Sequence, residues 1–262
     1  MIRVDNLSVT YPNGPRALAP TTIGFAAGAF TVLLGASGAG KSTLLRALNG
    51  LVRVSAGRVV SSLLGDLSRS QHMREHRRRT GMIFQQHHLI GRATVLKNVL
   101  TGRLGFHSGL RTLLPLARKE KVLALEAIER VGLVEHALRR ADELSGGQQQ
   151  RVGIARALVQ NPTLMLADEP VASLDPATAD HVLALLHGIC KTDGITAVVS
   201  LHQLDFARRY ADRVIGLARG EVVFDGPPTR LGEADIARIY GRPQIAEYGR
   251  EEEIHLKTGT YA

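Results

Sequence analysis

A glycine-rich run between an apolar segment and a helical pattern has the composition of a phosphate site. Gly35 to Thr43 reads GASGAGKST and fulfils the pattern G-x-x-x-x-G-K-[S/T]. Phe30 to Leu34 before it predicts a strand, and the leucines after it predict a helix. Glycines let successive N–H groups face one anion, and the helix N-terminus adds partial positive charge. We expect Lys41 to bind the β- and γ-phosphates of a nucleotide and Ser42 to bind Mg²⁺.

Two adjacent acids follow a second short apolar run. Leu164 to Leu166 lies between two prolines and is typical of a buried strand, and Asp168 and Glu169 come at its end. Asp168 is expected to reach Mg²⁺ through water, and Glu169 to polarise the attacking water. A solvated acidic turn is the alternative for these acids alone. The glycine-rich loop upstream favours a hydrolytic site.

A third segment, Leu144 to Gln148 (LSGGQ), precedes another helical pattern. Ser145 and Gln148 have the spacing of a capping box, which requires nothing beyond the start of a helix. The capping box does not explain Gly146 and Gly147, whose bare N–H groups let a ligand approach closely. A second phosphate-binding surface is therefore expected at this helix N-terminus.

The three segments, in this order, resemble the nucleotide-binding subunit of an ATP-binding cassette (ABC) transporter over about residues 1 to 240. The resemblance implies ATP and Mg²⁺ as cofactors. It places Tyr11 against the adenine, Gln85 at the Mg²⁺ ion and the membrane partner, and His202 near the γ-phosphate. The resemblance also places Asp175 at the end of a loop that crosses a dimer interface. A lone Tyr, Gln or His is more often structural, but their joint order favours the functional assignment.

The resemblance yields a set of candidate site residues. The expected catalytic residues are Glu169, His202 and Gln85. The expected metal ligands are Ser42, Gln85 and Asp168. The expected nucleotide contacts are Tyr11, Gly35, Ala36, Ser37, Gly38, Ala39, Gly40, Lys41, Ser42, Thr43, Ser145, Gly146, Gly147, Gln148 and Asp175.

One copy of the chain carries one phosphate loop and one LSGGQ segment. The resemblance places the two in opposing subunits of a head-to-tail homodimer that sandwiches ATP. Opening and closing of the dimer would be carried through Gln85 to transmembrane permease subunits, which work with a substrate-binding protein. The resemblance implies a peripheral location on the cytoplasmic side of the cell inner membrane.

Composition agrees with that interpretation. The 262 residues include no stretch of about 18 apolar residues, so no membrane span is expected. Arg3 and Asp5 interrupt the start, which argues against a secretory signal. Cys190 is the only cysteine, which excludes an internal disulfide and a multi-cysteine metal cluster.

The formal net charge of +9 raises the question of an anionic partner. The densest basic cluster contains Arg69, His72, Arg74, His76, Arg77, Arg78 and Arg79. A solvated helix face is the favoured interpretation, ahead of attraction to anionic lipid. No aromatic residue is interleaved to stack bases, and the chain has no Trp, so no nucleic-acid partner is expected.

The patterns that must position these residues, together with the resemblance, predict an α/β fold. We expect a P-loop NTPase (RecA-like) core with a mostly parallel sheet, an antiparallel β subdomain and an inserted helical subdomain. Strands are predicted at 2–4, 7–10, 22–25, 30–34, 164–167, 195–201, 213–218 and 221–224. Helices are predicted at 95–100, 119–131, 135–140, 149–160, 176–191, 203–210 and 229–240. A single ATPase domain is expected over 1–242, with the β subdomain and core in 1–91 and 145–242, the helical subdomain at about 92–144 and a tail at 243–262.

Several segments resemble one subfamily, the bacterial phosphonate-import ATPases. They are Gly91 and Arg92, Asn98 to Leu100, Gly102 to Gly105, Pro170 to Ser173, Ser200 to Gln203 and Val223 to Pro228. The resemblance implies phosphonates as the cargo of an importer. Importers of phosphite or phosphate are an alternative, and an exporter such as a lipoprotein-release system is the nearest transporter rival.

Other classes of ABC ATPase fit less well. A translation-linked ATPase would carry two cassettes, and a DNA-repair or chromosome ATPase would show coiled-coil heptads or zinc-binding cysteine pairs. An inactive scaffold would be expected to have lost one of the four residues Lys41, Asp168, Glu169 and His202. The sequence has one cassette, one cysteine and all four residues.

Overall fold

The computed structural model describes residues 1–12, 14–86, 88–107 and 116–241, which form two sheets surrounded by helices. The expected tail at 243–262 lies outside the described residues. The strands are β1 Ile2–Thr10, β2 Arg16–Phe25, β3 Phe30–Leu34, β4 Ala56–Ser61, β5 Gly65–Asp66, β6 Thr80–Ile83, β7 Leu164–Asp168, β8 Thr196–Leu201, β9 Arg213–Ala218 and β10 Glu221–Gly226. The α-helices are α1 Lys41–Leu48, α2 Ser70–Arg78, α3 Val95–Leu100, α4 Arg118–Arg130, α5 Gly146–Leu158, α6 Pro176–Thr192, α7 Leu204–Tyr210 and α8 Glu233–Tyr240.

The larger sheet has six strands in the order β10-β9-β3-β8-β7-β6. Strands β9 to β6 of this order run parallel, and β10 pairs antiparallel at the edge, which confirms the mostly parallel core. Side chains of a strand alternate between its faces. Accordingly, Phe30, Val32 and Leu34 of β3 pack into the core beneath the helices, whereas Leu33 packs into the core shared with α1 and the smaller sheet. Both faces of the central strand are therefore buried.

The smaller sheet is antiparallel, in the order β2-β1-β4-β5, and confirms the expected β layer. The two strands predicted at 2–4 and 7–10 are one strand, because Asn6, with φ 46°, absorbs an irregularity between Val4 and Leu7. Strands β4 and β5 escaped sequence reasoning. Only Val59 of β4 is buried, so this segment lacks the alternation of apolar residues that indicates a strand.

The segment between strands β6 and β7 is helical as predicted, except at residues 135–140. The helices predicted at 95–100 and 119–131 are confirmed by α3 and α4. The helix predicted at 135–140 is wrong, since only a 3-10 turn, Val134–His136, forms there. The carbonyls of Ala137 and Arg139 accept hydrogen bonds from the first N–H groups of α3, at Leu96 (2.9 Å) and Val95 (2.9 Å). Those carbonyls therefore cap α3 instead of continuing a helix of their own.

The last helix is shorter than its pattern predicted. It was expected at 229–240, but Pro228–Arg230 forms a 3-10 turn and α8 begins only at Glu233. The side chain of Asp235 accepts a hydrogen bond from the N–H of Gly232 (3.1 Å), which fixes the helix start there. Among the helices of the described segments, none has the length and apolar character needed to cross a bilayer.

The basic cluster around α2 is in part the solvated face that was expected, since Arg69, Arg74, Arg77 and Arg79 are exposed, and in part a set of contacts to α1. His76 is buried, and its Nε2 lies 3.0 Å from the carbonyl oxygen of Leu48. Arg77 donates to the carbonyls of Asn49 (3.0 Å) and Gly50, beyond the C-terminus of α1. Cationic and donor groups at a helix C-terminus complement its partial negative charge.

Candidate active site

The phosphate loop connects the carboxyl end of β3 to the start of α1, as the sequence predicted. Two of its glycines have no room for a side chain. A Cβ at Gly35 would lie 2.5 Å from the carbonyl oxygen of Leu217, and one at Gly40 would lie 2.8 Å from that of Ala17. Gly40 also has φ 105°, which side-chain-bearing residues rarely adopt. The loop crest, Ala36 to Gly38, is exposed, so its backbone N–H groups are accessible to an anion.

Lys41 lies beneath this loop with its side chain only 3% exposed. Its Nζ donates to the carbonyl oxygens of Gly35 (2.6 Å) and Ala36 (3.2 Å) and lies 3.7 Å from Oε1 of Glu169. Burial lowers the pKa of Lys41 below its usual value, and the carboxylates of Glu169 and Asp168 oppose that shift. The structure therefore brings the loop lysine and the predicted catalytic acid into one cluster.

Asp168 is buried at the end of β7 and accepts two hydroxyl hydrogen bonds on one oxygen. Ser42 Oγ donates to its Oδ1 over 2.7 Å, and Ser200 Oγ donates to the same atom over 3.0 Å. Its Oδ2 lies 3.8 Å from an η nitrogen of Arg46, on the last turn of α1. Ser42 and Asp168, expected together as metal ligands, are thus in direct contact.

Glu169 has a left-handed backbone, with φ 48°, directly after the strand. Its N–H donates to Ser200 Oγ (2.8 Å), and its Oε1 lies 2.5 Å from Nε2 of His202. Non-glycine residues in this conformation cost free energy and persist where neighbours hold them. The serine hydroxyl therefore orients both adjacent acids.

Sequence reasoning did not assign a role to Ser200. The only local signal was a serine at the carboxyl end of an otherwise mainly apolar run, two residues before His202. A serine there is compatible with many structural roles. Its contacts with Asp168 and Glu169 span 32 and 31 residues, which the spacing of the sequence does not encode.

Two further predicted residues lie at the rim of the site. The hydroxyl of Tyr11 lies 3.3 Å from Oγ1 of Thr43, so this exposed aromatic ring stands over the start of α1. Gln85 follows β6 and lines a cleft of about 420 Å³ that Gln149 and Ser173 also line. Among the described residues, no hydrogen bond joins Gln85 to Ser42 or Asp168.

The LSGGQ segment forms the start of α5, with the predicted capping box. Gln148 N–H donates to Ser145 Oγ (3.3 Å), and Ser145 N–H donates to Gln148 Oε1 (2.9 Å). Gln148 Nε2 also lies 3.2 Å from Nε2 of His136. A Cβ at Gly147 would lie 2.4 Å from Cγ2 of Thr178, so close packing is one reason for that glycine. Ser145, Gly147 and Gln148 line a cleft of about 610 Å³ with the first turns of α6.

Asp175, expected at a dimer interface, is the N-cap of α6. Its Oδ1 accepts a hydrogen bond from the N–H of Thr178 (3.0 Å), and Pro176 occupies the first turn. The hydrogen bonds from Thr178 hold the pKa of Asp175 below its usual value. Asp175 and the LSGGQ segment therefore lie on neighbouring helix starts, apart from the cluster around Lys41.

The cluster lies at the carboxyl ends of the parallel strands β3, β7 and β8, where open α/β sheets bind ligands. The exposed backbone N–H groups of the loop and the buried ammonium of Lys41 can bind phosphate oxygens. The carboxylate of Glu169 and the imidazole of His202 can act on water. Such a set supports phosphoryl transfer to water.

Comparison with known proteins gives one consistent result. The sequence matches the ABC transporter family over residues 18–172. It is 62% identical over 240 residues to the phosphite import ATP-binding protein of Stutzerimonas stutzeri, covering 92% of this chain and 87% of that protein. It is 55% identical to a phosphonates import ATP-binding protein of Nostoc sp. (93% of each chain) and 58% identical to one of Cupriavidus metallidurans (94% and 88%).

Solved structures give the same answer. A dimeric bacterial ABC transporter cassette is 33% identical and superposes with a TM-score of 0.76, covering 87% of this chain and 99% of that one. An ATP-binding cassette in its ADP conformation is 28% identical, with a TM-score of 0.77 over 98% of each chain. The chain belongs to the ABC transporter family and is one of its ATPase subunits.

Proposed function

We propose that this chain is the ATP-hydrolysing subunit of a phosphonate importer. The contact of Glu169 with both Lys41 and His202 carries the hydrolytic part of the proposal, because it brings the expected base next to a phosphate-binding lysine and to the histidine expected near the γ-phosphate. The cargo rests on relatives at 55% and 58% identity whose names specify phosphonates import. The residue roles below follow from the contacts around this cluster.

The phosphate loop binds the nucleotide. The N–H groups along its exposed crest face the phosphates, and Lys41 supplies a positive charge from below. Tyr11 stacks on the adenine, since its ring stands over Thr43 at the edge of the loop. The backbone of residues Gly35 to Thr43 therefore serves as one anion site.

The residues around Asp168 suit Mg²⁺. A serine hydroxyl and a carboxylate 2.7 Å apart are hard oxygen ligands of the kind that Mg²⁺ takes at nucleotide sites. Ser42 and Asp168 would hold the ion, and Gln85 would join them from the rim. When bound, Mg²⁺ neutralises charge that develops on the phosphate oxygens.

Glu169 acts as the base toward water. Its Oε1 is held by His202 over 2.5 Å and lies 3.7 Å from the ammonium of Lys41, so one carboxylate oxygen is fixed close to the phosphate site. His202 is 40% exposed beside Glu169, so its ring is accessible to the γ-phosphate of a bound nucleotide. Hydrolysis then depends on both residues being in place.

The working unit is a head-to-tail dimer. Ser145, Gly146, Gly147 and Gln148 lie apart from the Lys41 cluster, and they complete the nucleotide site of a second copy, with Asp175 at the interface. A relative of known structure is a dimeric cassette, which supports this arrangement. Permease subunits in the inner membrane receive the motion, with this subunit peripheral on the cytoplasmic side and a substrate-binding protein delivering cargo.

The predicted domain division fits this role. A single ATPase domain over 1–242 combines a core, in 1–91 and 145–242, with a helical part at about 92–144. The cleft that contains Gln85, Gln149 and Ser173 lies where the two parts meet. Relative motion of the parts would therefore pass the state of the nucleotide site to the permease.

Phosphite is the second candidate cargo. The relative at 62% identity is a phosphite import ATP-binding protein, and phosphite is a smaller phosphorus oxyanion of the same class. The choice is tested with transporter co-purified from membranes and reconstituted with its binding protein. Phosphonate should stimulate ATP hydrolysis more than phosphite or phosphate do; stimulation by phosphite alone would replace the first candidate by the second.

The hydrolytic role is tested by Glu169→Gln. The amide keeps the size of the side chain but removes the base, so nucleotide binding should persist while steady-state hydrolysis is lost and an ATP-bound dimer accumulates. Size-exclusion chromatography with and without ATP detects the dimer, and the rate of phosphate release measures turnover. Normal turnover in this variant would exclude Glu169 as the base.

A further inference from the structure

The C-terminal helix reaches the catalytic edge of the sheet through one hydroxyl. The phenol of Tyr240, at the end of α8, donates a hydrogen bond to the backbone carbonyl of His202 (2.9 Å). His202 in turn lies 2.5 Å from Oε1 of Glu169. A residue 38 positions away in the chain thus contacts the segment that carries the imidazole.

Helix α8 is fixed to the sheet that carries the site. Ile239, next to Tyr240, is 2% exposed. A Cβ at Gly216 of β9 would lie 2.4 Å from Cδ1 of Ile239, so the isoleucine fills the space above that glycine. The start of α8 is fixed as well, through the hydrogen bond between Gly232 and Asp235. The phenol is therefore presented from an anchored helix.

His202 lies in the short connection between β8 and α7. Only Gln203 separates His202 from α7, and the His202 side chain is exposed instead of packed. The direction of an imidazole depends on its backbone as well as on its side-chain contacts, because the allowed rotamers follow φ and ψ. A bond to the carbonyl of His202 therefore restrains the backbone on which the direction of its ring depends.

We infer that Tyr240 is a positioning residue for hydrolysis, which holds the backbone of His202 so that the imidazole meets Glu169. The inference rests on the proposed role of His202 at the γ-phosphate. Tyr240 acts through His202 and Glu169, and it belongs neither to the phosphate loop nor to the expected metal ligands. Its hydroxyl therefore contributes to turnover and leaves nucleotide binding unaltered.

The test is Tyr240→Phe in the full chain, assayed with its co-purified permease subunits. Removal of one neutral hydrogen bond is expected to lower kcat for ATP about 5-fold, with KM changed less than about 2-fold. Tyr210→Phe is the matched control. The hydroxyl of Tyr210 bonds Oδ1 of Asp180 (2.8 Å) on α6, so its loss should leave kcat and KM at the wild-type values.

A readout independent of turnover separates this inference from the proposed function. In protein labelled at histidine Cε1, the NMR signal that His202→Gln removes belongs to His202. Tyr240→Phe should shift and broaden that signal, and Tyr210→Phe should not. A wild-type kcat in Tyr240→Phe, an unmoved His202 signal, or equal losses in both tyrosine variants would each overturn the inference. Absence of ATP hydrolysis in the wild type would overturn the proposed function, and the NMR comparison would still decide the role of Tyr240.

Discussion

Replacement of Ser200 by alanine removes the hydroxyl that holds two adjacent acids. Ser200 is fully buried, donates to Asp168 over 3.0 Å and accepts from the N–H of Glu169 over 2.8 Å. A hydrogen bond to an ionised carboxylate contributes about 1.5–3 kcal/mol, and an orphaned N–H costs about 1–3 kcal/mol. Asp168 keeps its second donor, Ser42, so we expect the free energy of unfolding to fall by about 2–4 kcal/mol in total.

The same change should slow catalysis. The left-handed backbone of Glu169 costs about 1–3 kcal/mol, so it needs a bond of comparable strength to persist. Without Ser200, the carboxylate spends less time beside His202 and Lys41. A loss of about 1.4 kcal/mol in transition-state stabilisation corresponds to a kcat about 10-fold lower.

Thr196→Val on the same strand is the control. Its hydroxyl accepts a hydrogen bond from Gly28 N–H (3.1 Å) at the opposite end of β8, away from both acids. Chemical denaturation should show lost stability in both variants, whereas steady-state hydrolysis should slow only in Ser200→Ala. If Ser200→Ala keeps kcat within about two-fold of the wild type, the orienting role of the serine is wrong.

Three further predictions follow from contacts around the site. Lys41→Ala removes the buried ammonium and should weaken ATP binding at least about 10-fold in a nucleotide titration; unchanged affinity would contradict its role. Gly147→Ala places a Cβ 2.4 Å from Cγ2 of Thr178 and should cost about 1–3 kcal/mol in thermal unfolding. Adding Thr178→Ser removes that methyl and should restore stability; no recovery would place the strain elsewhere. Burial lowers the pKa of His76, so the unfolded chain binds more protons and stability should fall as the pH drops below about 6.5. His76→Gln should flatten that part of the pH profile, and a profile identical to the wild type would exclude His76 as its source.

Local features of the chain were predictable, and long-range ones were not. The loop from Gly35 to Lys41, the caps at Ser145 and Asp175, and the central strands follow from residues within a few positions of one another. The failed helix at 135–140 shows the limit. Its apolar pattern is helical, but the carbonyls of Ala137 and Arg139 accept hydrogen bonds from N–H groups of α3. The apolar pattern does not indicate these bonds.

The same limit applies within the candidate site. Lys41, Asp168, Glu169 and His202 were found because each belongs to a recognisable local pattern. Ser200 and Tyr240 lie in segments that the sequence analysis named, but no pattern gave them a role in the site, because their partners are set by which strand ends and helices meet in space. In this chain, the two hydroxyl groups that contact Asp168, Glu169 and His202 from distant segments were therefore not predicted.

Helix α1 begins at the phosphate loop, and its C-terminal end contacts His76 and Arg77 of α2. It has eight residues, which gives a length of about 12 Å from the phosphate loop to the carbonyls that His76 and Arg77 bind. Loss of the Arg77 guanidinium would therefore remove the donors to the carbonyls of Asn49 and Gly50, which follow the helix whose first residues are Lys41 and Ser42.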